Sequence, residues 1–145
     1  MIPTRPTDRP SRSAFRASVG GAASRIVRVV SYDDQNVFAR ILRGEIPADV
    51  VHEDEVCMAF RDVNPQAPVH ILVIPRAPLA KLGDAAPEQR DLLGHLLLVA
   101  GEVARSAGIG DAFRTVINHG ADAGQSVFHL HVHVIGGRDL GWPPG

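Results

Sequence analysis

The chain has 145 residues, 45% hydrophobic and 21% charged, with a formal net charge of −1. That length supports one domain with a real core rather than two, and without a basic field nucleic acid is not an expected partner. No apolar run approaches the roughly 20 residues of a membrane span. The lone Cys57 excludes a disulfide framework and a zinc site built from cysteines.

Residues 1–32 differ from the rest. They carry Arg5, Arg9, Arg12, Arg16, Arg25 and Arg28 against a single acid, Asp8. Arg-rich and acid-poor composition describes a mitochondrial transit peptide, but Pro3, Pro6 and Pro10 would break an early amphipathic helix. The stretch reads as a disordered or targeting extension. A cytoplasmic location is expected, with the mitochondrial matrix as the alternative if the extension is a transit peptide.

The folded domain is expected over 33–145. Asp34 or Asn36 can cap a short helix whose apolar face is Val37, Phe38, Ile41 and Leu42, ended by Gly44 and kept from resuming by Pro47. Val50-Val51-His52-Glu53 and Val56-Cys57-Met58-Ala59-Phe60 read as two strands around an acidic turn at Asp54-Glu55. Asn64 to Pro68 forms a rigid turn. Val69 to Ile74 is a nearly continuous apolar run, suited to a central strand covered on both sides and interrupted only by His70.

Pro87 suits a helix start and Gly108 its end. Between them, Leu92, Leu96, Val99 and Val103 form one row, and Leu93, Leu97, Ala100 and Ala104 an adjacent one. That arc is wider than a simple surface helix needs, so one side would cover a sheet and the other would face a second subunit. Ala112 to Asn118 alternates as a strand, and a polar loop from His119 to Ser126 follows. About five strands and two helices predict an α+β domain with a mostly antiparallel sheet. On this reading His52 is a strand surface residue, His95 a polar member of the long helix and Cys57 a small core hydrophobe.

From Ser126 to Ile135, imidazole and aliphatic side chains alternate, which predicts a half-buried strand. His129, His131 and His133 would share one face, about 6.6 Å apart, with Leu130, Val132 and Val134 on the other. Such a row can be read in three ways. The histidines could simply satisfy core hydrogen bonds. They could share a metal ion, although the nearest acids in sequence, Asp122 and Asp139, fall in expected loops. They could do phosphoryl chemistry: Gly124-Gln125-Ser126 supplies backbone N–H groups and a hydroxyl for an anion, and a neutral imidazole is a competent nucleophile and leaving group at phosphorus. The last scheme requires no metal and no cofactor.

His129-Leu130-His131-Val132-His133-Val134-Ile135 resembles the defining motif of the histidine triad superfamily. Phe60 to His70, Val73-Ile74-Pro75, Asn118, Gly124-Gln125-Ser126, Gly136-Gly137-Arg138 and Trp142-Pro143-Pro144-Gly145 resemble its Hint branch. The resemblance implies a homodimer of HIT-like fold that binds a purine nucleoside monophosphate. It implies hydrolysis of adenosine or guanosine 5′-phosphoramidates, lysine-linked ones included, through a nucleotidyl-histidine intermediate. By position, His131 would be the nucleophile, His129 would orient it, His133 would contact phosphate oxygens, and His70 would complete the cluster. Ser126 would help protonate the departing amine. Asp62 would hold the ribose hydroxyls, and Phe38, Ile41, Phe60 and Val63 would line the base slot. Asn118, Gly124 and Gln125 would border the phosphate site, and Trp142 would reach the partner subunit's site. His119 and Ala123 depart from the branch pattern beside the phosphate loop. The rival readings are dinucleoside polyphosphate hydrolysis and a nucleotide-binding adaptor with incidental turnover.

Overall fold

A computed structural model describes residues 32–145; the rest of the Arg-rich extension lies outside the described residues. Five strands form one antiparallel sheet: β1 (Val50–Glu53), β2 (Cys57–Arg61), β3 (Val69–Pro75), β4 (Phe113–Val116) and β5 (Val132–Gly136), in the order β1-β2-β3-β5-β4. Two α-helices accompany it, α1 (Val37–Leu42) and α2 (Arg90–Ser106). The expected α+β architecture is the one observed.

The apolar run becomes β3, the centre of the sheet, and all of it beyond Val69 is buried. Because side chains alternate across a strand, this run serves two cores at once. Ile71 and Val73 join Cys57, Ala59, Val132 and Val134 against Leu96, Val99, Ala100, Val103 and Ala104 of α2. Leu72 and Ile74 join Met58 and Phe60 against Phe38 of α1 on the opposite face. His70 lies on this second face, two residues from Leu72.

With six residues, α1 is too short to stand alone. Asn36 caps it by accepting from the Ala39 N–H at 2.9 Å, and Phe38 packs edge-on against Phe60 with centroids 5.5 Å apart. On α2, the side away from the sheet leaves Leu97 and Leu98 exposed. No described helix is long and apolar enough to cross a membrane.

One expectation needs correction. The histidine stretch is a strand only from Val132 to Gly136, so His129 and His131 lie on the approach to β5 rather than within it. The ladder between β3 and β5 ends at the pair Val73–Val132. Pro75 has no N–H to extend it, and its carbonyl accepts instead from His129 Nε2 at 2.8 Å. The Leu130 N–H turns to the carbonyl of Leu79, beyond the end of β3, at 2.7 Å. Imidazole–backbone bonding has replaced strand pairing.

Candidate active site

Each imidazole has a defined partner, and the network assigns the tautomers. His131 Nδ1–H donates to the carbonyl of His129 at 2.7 Å, which leaves the lone pair on Nε2. His70 Nδ1 accepts from the Gln66 N–H at 3.0 Å, so its proton is on Nε2, which donates to His133 Nδ1 at 2.9 Å. His133 therefore carries its own proton on Nε2. His129 donates from Nε2 to Pro75, and its Nδ1 accepts from the Tyr32 hydroxyl at 2.7 Å. In consequence His131 offers a base and His133 a donor. The rings are neighbours, with centroids 5.0 Å apart.

All four imidazoles are held below the ordinary histidine pKa, chiefly by burial. His133 falls furthest, to about 4, because the neighbouring His131 and His70 add to the cost of its charge while Asp62 offsets only part of it. Near neutral pH the cluster is uncharged, and the His131 lone pair is available without prior deprotonation.

A cleft of about 600 Å³ opens over this face. His70, His131 and His133 line it together with Asp62, Gly124 and Ser126, and apolar walls come from Phe38, Ile41, Phe60 and Val63. The Phe38 ring meets His131 edge-on with centroids 4.9 Å apart, packing against the imidazole. Asp62 Oδ2 stands 3.4 Å from His70 Nε2, and its Oδ1 accepts from the Asn64 N–H at 2.9 Å. The lining thus combines apolar side chains with imidazoles, a carboxylate and a hydroxyl.

The HIT domain family model matches residues 43–140, a span that contains three of these four histidine-bearing positions in and around β5 and the fourth in β3. The chain belongs to the HIT family. An uncharacterized HIT-like protein of Synechocystis sp. is 61% identical over 112 residues, covering 77% of this chain and 98% of that protein. A 14 kDa zinc-binding protein of Zea mays is 50% identical over 115 residues, covering 78% of this chain and 90% of that protein. The crystal structure of a HIT family hydrolase from Legionella pneumophila superposes with a TM-score of 0.75 at 42% identity, covering 77% of this chain and 100% of that one.

Several residues expected at the site of this HIT chain lie outside the cleft lining. His129 is fully buried behind His131 and acts on the cleft only through its carbonyl. Gln125 is buried too, and its amide braces the loop by donating to the carbonyls of Ala80 and Val127 and accepting from the Gly120 N–H. Asn118 sits behind Gly124, 3.5 Å from its carbonyl. Trp142, expected to reach the partner subunit's site, is 84% exposed and does not line its own chain's cleft. His119 accepts from the Gly83 N–H at 3.0 Å, tying the loop before β5 to the segment after β3.

Other lining residues were not expected from the HIT sequence. Leu72 was legible, since a strand places it on the face of His70. Ile46, Pro47 and Ala48 form part of the apolar wall from an irregular segment with no periodic signal. Tyr32, assigned by composition to the extension, gives no local hint that its hydroxyl meets a side chain 97 positions away.

Proposed function

We propose that this HIT protein hydrolyses the P–N bond of purine nucleoside 5′-phosphoramidates through a covalent nucleotidyl-His131 intermediate. The observation that carries the reading is the 2.7 Å bond from His131 Nδ1–H to the His129 carbonyl, which leaves Nε2 unprotonated on a side chain that lines the cleft. The purine occupies the slot of Phe38, Ile41, Phe60 and Val63, and the Asp62 carboxylate accepts from the ribose hydroxyls. His131 Nε2 attacks the α-phosphorus, forming one N–P bond as the bond to the amine breaks. His133 donates to a non-bridging oxygen, where negative charge concentrates. The amine leaves with a proton from the Ser126 hydroxyl, which takes one in turn from solvent in the cleft. Water then displaces His131 from phosphorus and releases the nucleoside monophosphate.

The test is His131→Ala assayed on tryptamine- and lysine-type AMP phosphoramidates and on a dinucleoside polyphosphate. Hydrolysis of the phosphoramidates is expected to fall by several orders of magnitude, while AMP affinity stays within about tenfold, or roughly 1.4 kcal/mol. Undiminished turnover by the variant would sink the covalent scheme. The Zea mays relative is named a zinc-binding protein, so the assay includes a chelator arm; the proposed steps require no metal, and activity should persist.

The working unit we propose is a homodimer. Its support is the exposure of Leu97 and Leu98 on α2, 53% and 70%, large apolar side chains that water does not favour. Light scattering should give twice the chain mass for the native protein and a smaller mass for Leu97→Glu/Leu98→Glu. A native monomer at micromolar concentration would refute the pairing.

A further inference from the structure

The face of the sheet opposite the cleft carries a second group of side chains that the proposed chemistry does not use. His52 comes from β1, Asp54 from the turn after it, Cys57 from β2 and His95 from α2, 41 positions from Asp54. The Asp54 carboxylate is aimed by its own turn: Oδ1 accepts from the N–H groups of Val56 and Cys57 at 2.7 and 2.8 Å. Its other oxygen, Oδ2, receives His52 Nε2 and His95 Nε2, each at 2.7 Å, and lies 3.5 Å from Cys57 Sγ.

We propose that His52, Asp54, Cys57 and His95 form a site for a divalent cation of the zinc class. Two nitrogens, one sulfur and one oxygen are the donor types zinc takes in tetrahedral sites. Bonds of about 2.0–2.3 Å to a central ion place neighbouring donors a little over 3 Å apart. The separations around Oδ2 run from 2.7 to 3.5 Å, and the His52, Asp54 and Cys57 donor atoms all lie within 4.8 Å of one another. His52, Asp54 and Cys57 are already grouped, whereas His95 Nε2, bonded to Oδ2 at 2.7 Å, is not within 4.8 Å of both other donors and turns toward them on binding. The chain supplies all four positions, so the site is closed and structural rather than open and catalytic. A single cysteine is enough because the set is mixed.

Access is compatible with loading. The side chains of His52, Asp54 and His95 are 25%, 27% and 37% exposed, while Cys57 forms the buried floor. On binding, Sγ and the imidazole nitrogens that bond the ion give up their protons to solvent, and the thiolate and Asp54 together balance the charge of a divalent ion. Arg76 donates to the Asp54 carbonyl and to Glu53, so its charge is already paired. The ion would pin the β1–β2 hairpin to α2.

The experiment is a titration of the metal-free full chain with Co²⁺, read by absorption, and with Zn²⁺, read by calorimetry and thermal melting. Native protein, His52→Phe/His95→Gln, Cys57→Ser and His133→Ala are compared. The last variant disables the other described group of such donors, Asp62, His70 and His133. One ion per chain is expected, with a sulfur-to-cobalt charge-transfer band that survives His133→Ala and disappears in Cys57→Ser. Zinc should raise the melting temperature of native protein, and His52→Phe/His95→Gln should lose more than about 100-fold in affinity, beyond what losing a partner behind a ligand costs. Because Cys57→Ser alters a fully buried position, the double variant at the half-exposed histidines decides the matter if the serine variant fails to fold. No stoichiometric binding, or binding that His133→Ala abolishes and the double variant keeps, would overturn the site. None of these readouts depends on phosphoramidate turnover.

Discussion

Tyr32 shows how far from the cleft the proposed nucleophile is set up. Its hydroxyl accepts from Asn36 Nδ2 at 3.2 Å and donates to His129 Nδ1, while His129 spends its own proton on Pro75. With both nitrogens engaged, the His129 ring and backbone are fixed, and its carbonyl holds the His131 proton. Tyr32→Phe leaves His129 Nδ1 buried without a donor, a loss of about 1–3 kcal/mol. We expect a lower denaturation midpoint of that order, and a fall in kcat on phosphoramidates with KM little changed. A variant with native stability and native kcat would show that His129 needs no support from Tyr32.

At the scale of elements, β5 and its approach hold the site by their aliphatic side. Leu130, Val132 and Val134 are each buried to within 1% and belong to the core under α2. A shift of one residue would expose them and turn the histidines inward, so the core sets the register. Leu130→Ala removes the anchor between His129 and His131 and should cost about 2–5 kcal/mol by chemical denaturation. Its hydrolytic activity should fall as well, because both flanking histidines lose their backbone position. The loop before it depends on Gly124, whose φ of +93° is a left-handed conformation that side chains disfavour. The alternation in the sequence foretold the facing of the three histidines correctly and the strand's length incorrectly. Periodicity reports which side a residue faces. It says nothing about whether a neighbouring strand has an N–H left to offer, and Pro75 does not.

The whole molecule should be acid-sensitive. His70, His129, His131 and His133 all bind protons less readily when folded than the ordinary histidine value of 6.5, and His133 drops to about 4. Between those limits the unfolded chain takes up more protons than the native one, so stability declines as pH falls from about 6.5 toward 4, by up to about 1.4 kcal/mol per pH unit for each group. Asp54 behaves as a carboxylate held low: burial opposes its charge, but hydrogen bonds from His52 and His95 outweigh that. Its contribution is present above the usual carboxylate range and is lost only as pH drops below it, so it does not compensate within the histidine window. Urea midpoints should therefore be lower at pH 5 than at pH 7, and equal midpoints would contradict the burial of the cluster.

The sequence by itself determined the α+β class, the central strand, both helices and the shared face of the histidines, because each follows from the spacing of apolar residues along one stretch of chain. It also singled out His70, Gly124 and Ser126, and the family resemblance added Asp62; the fold gathers all four at one cleft with His131 and His133. Only the tertiary structure decided which nitrogen of each imidazole keeps its proton, since that depends on carbonyls and hydroxyls brought from Pro75, Gln66 and Tyr32. It likewise brought His95 to Asp54 and turned Gln125 away from the cleft into its own loop. Local spacing encodes which way a side chain faces; partners from elsewhere in the chain are chosen by how the sheet and helices pack.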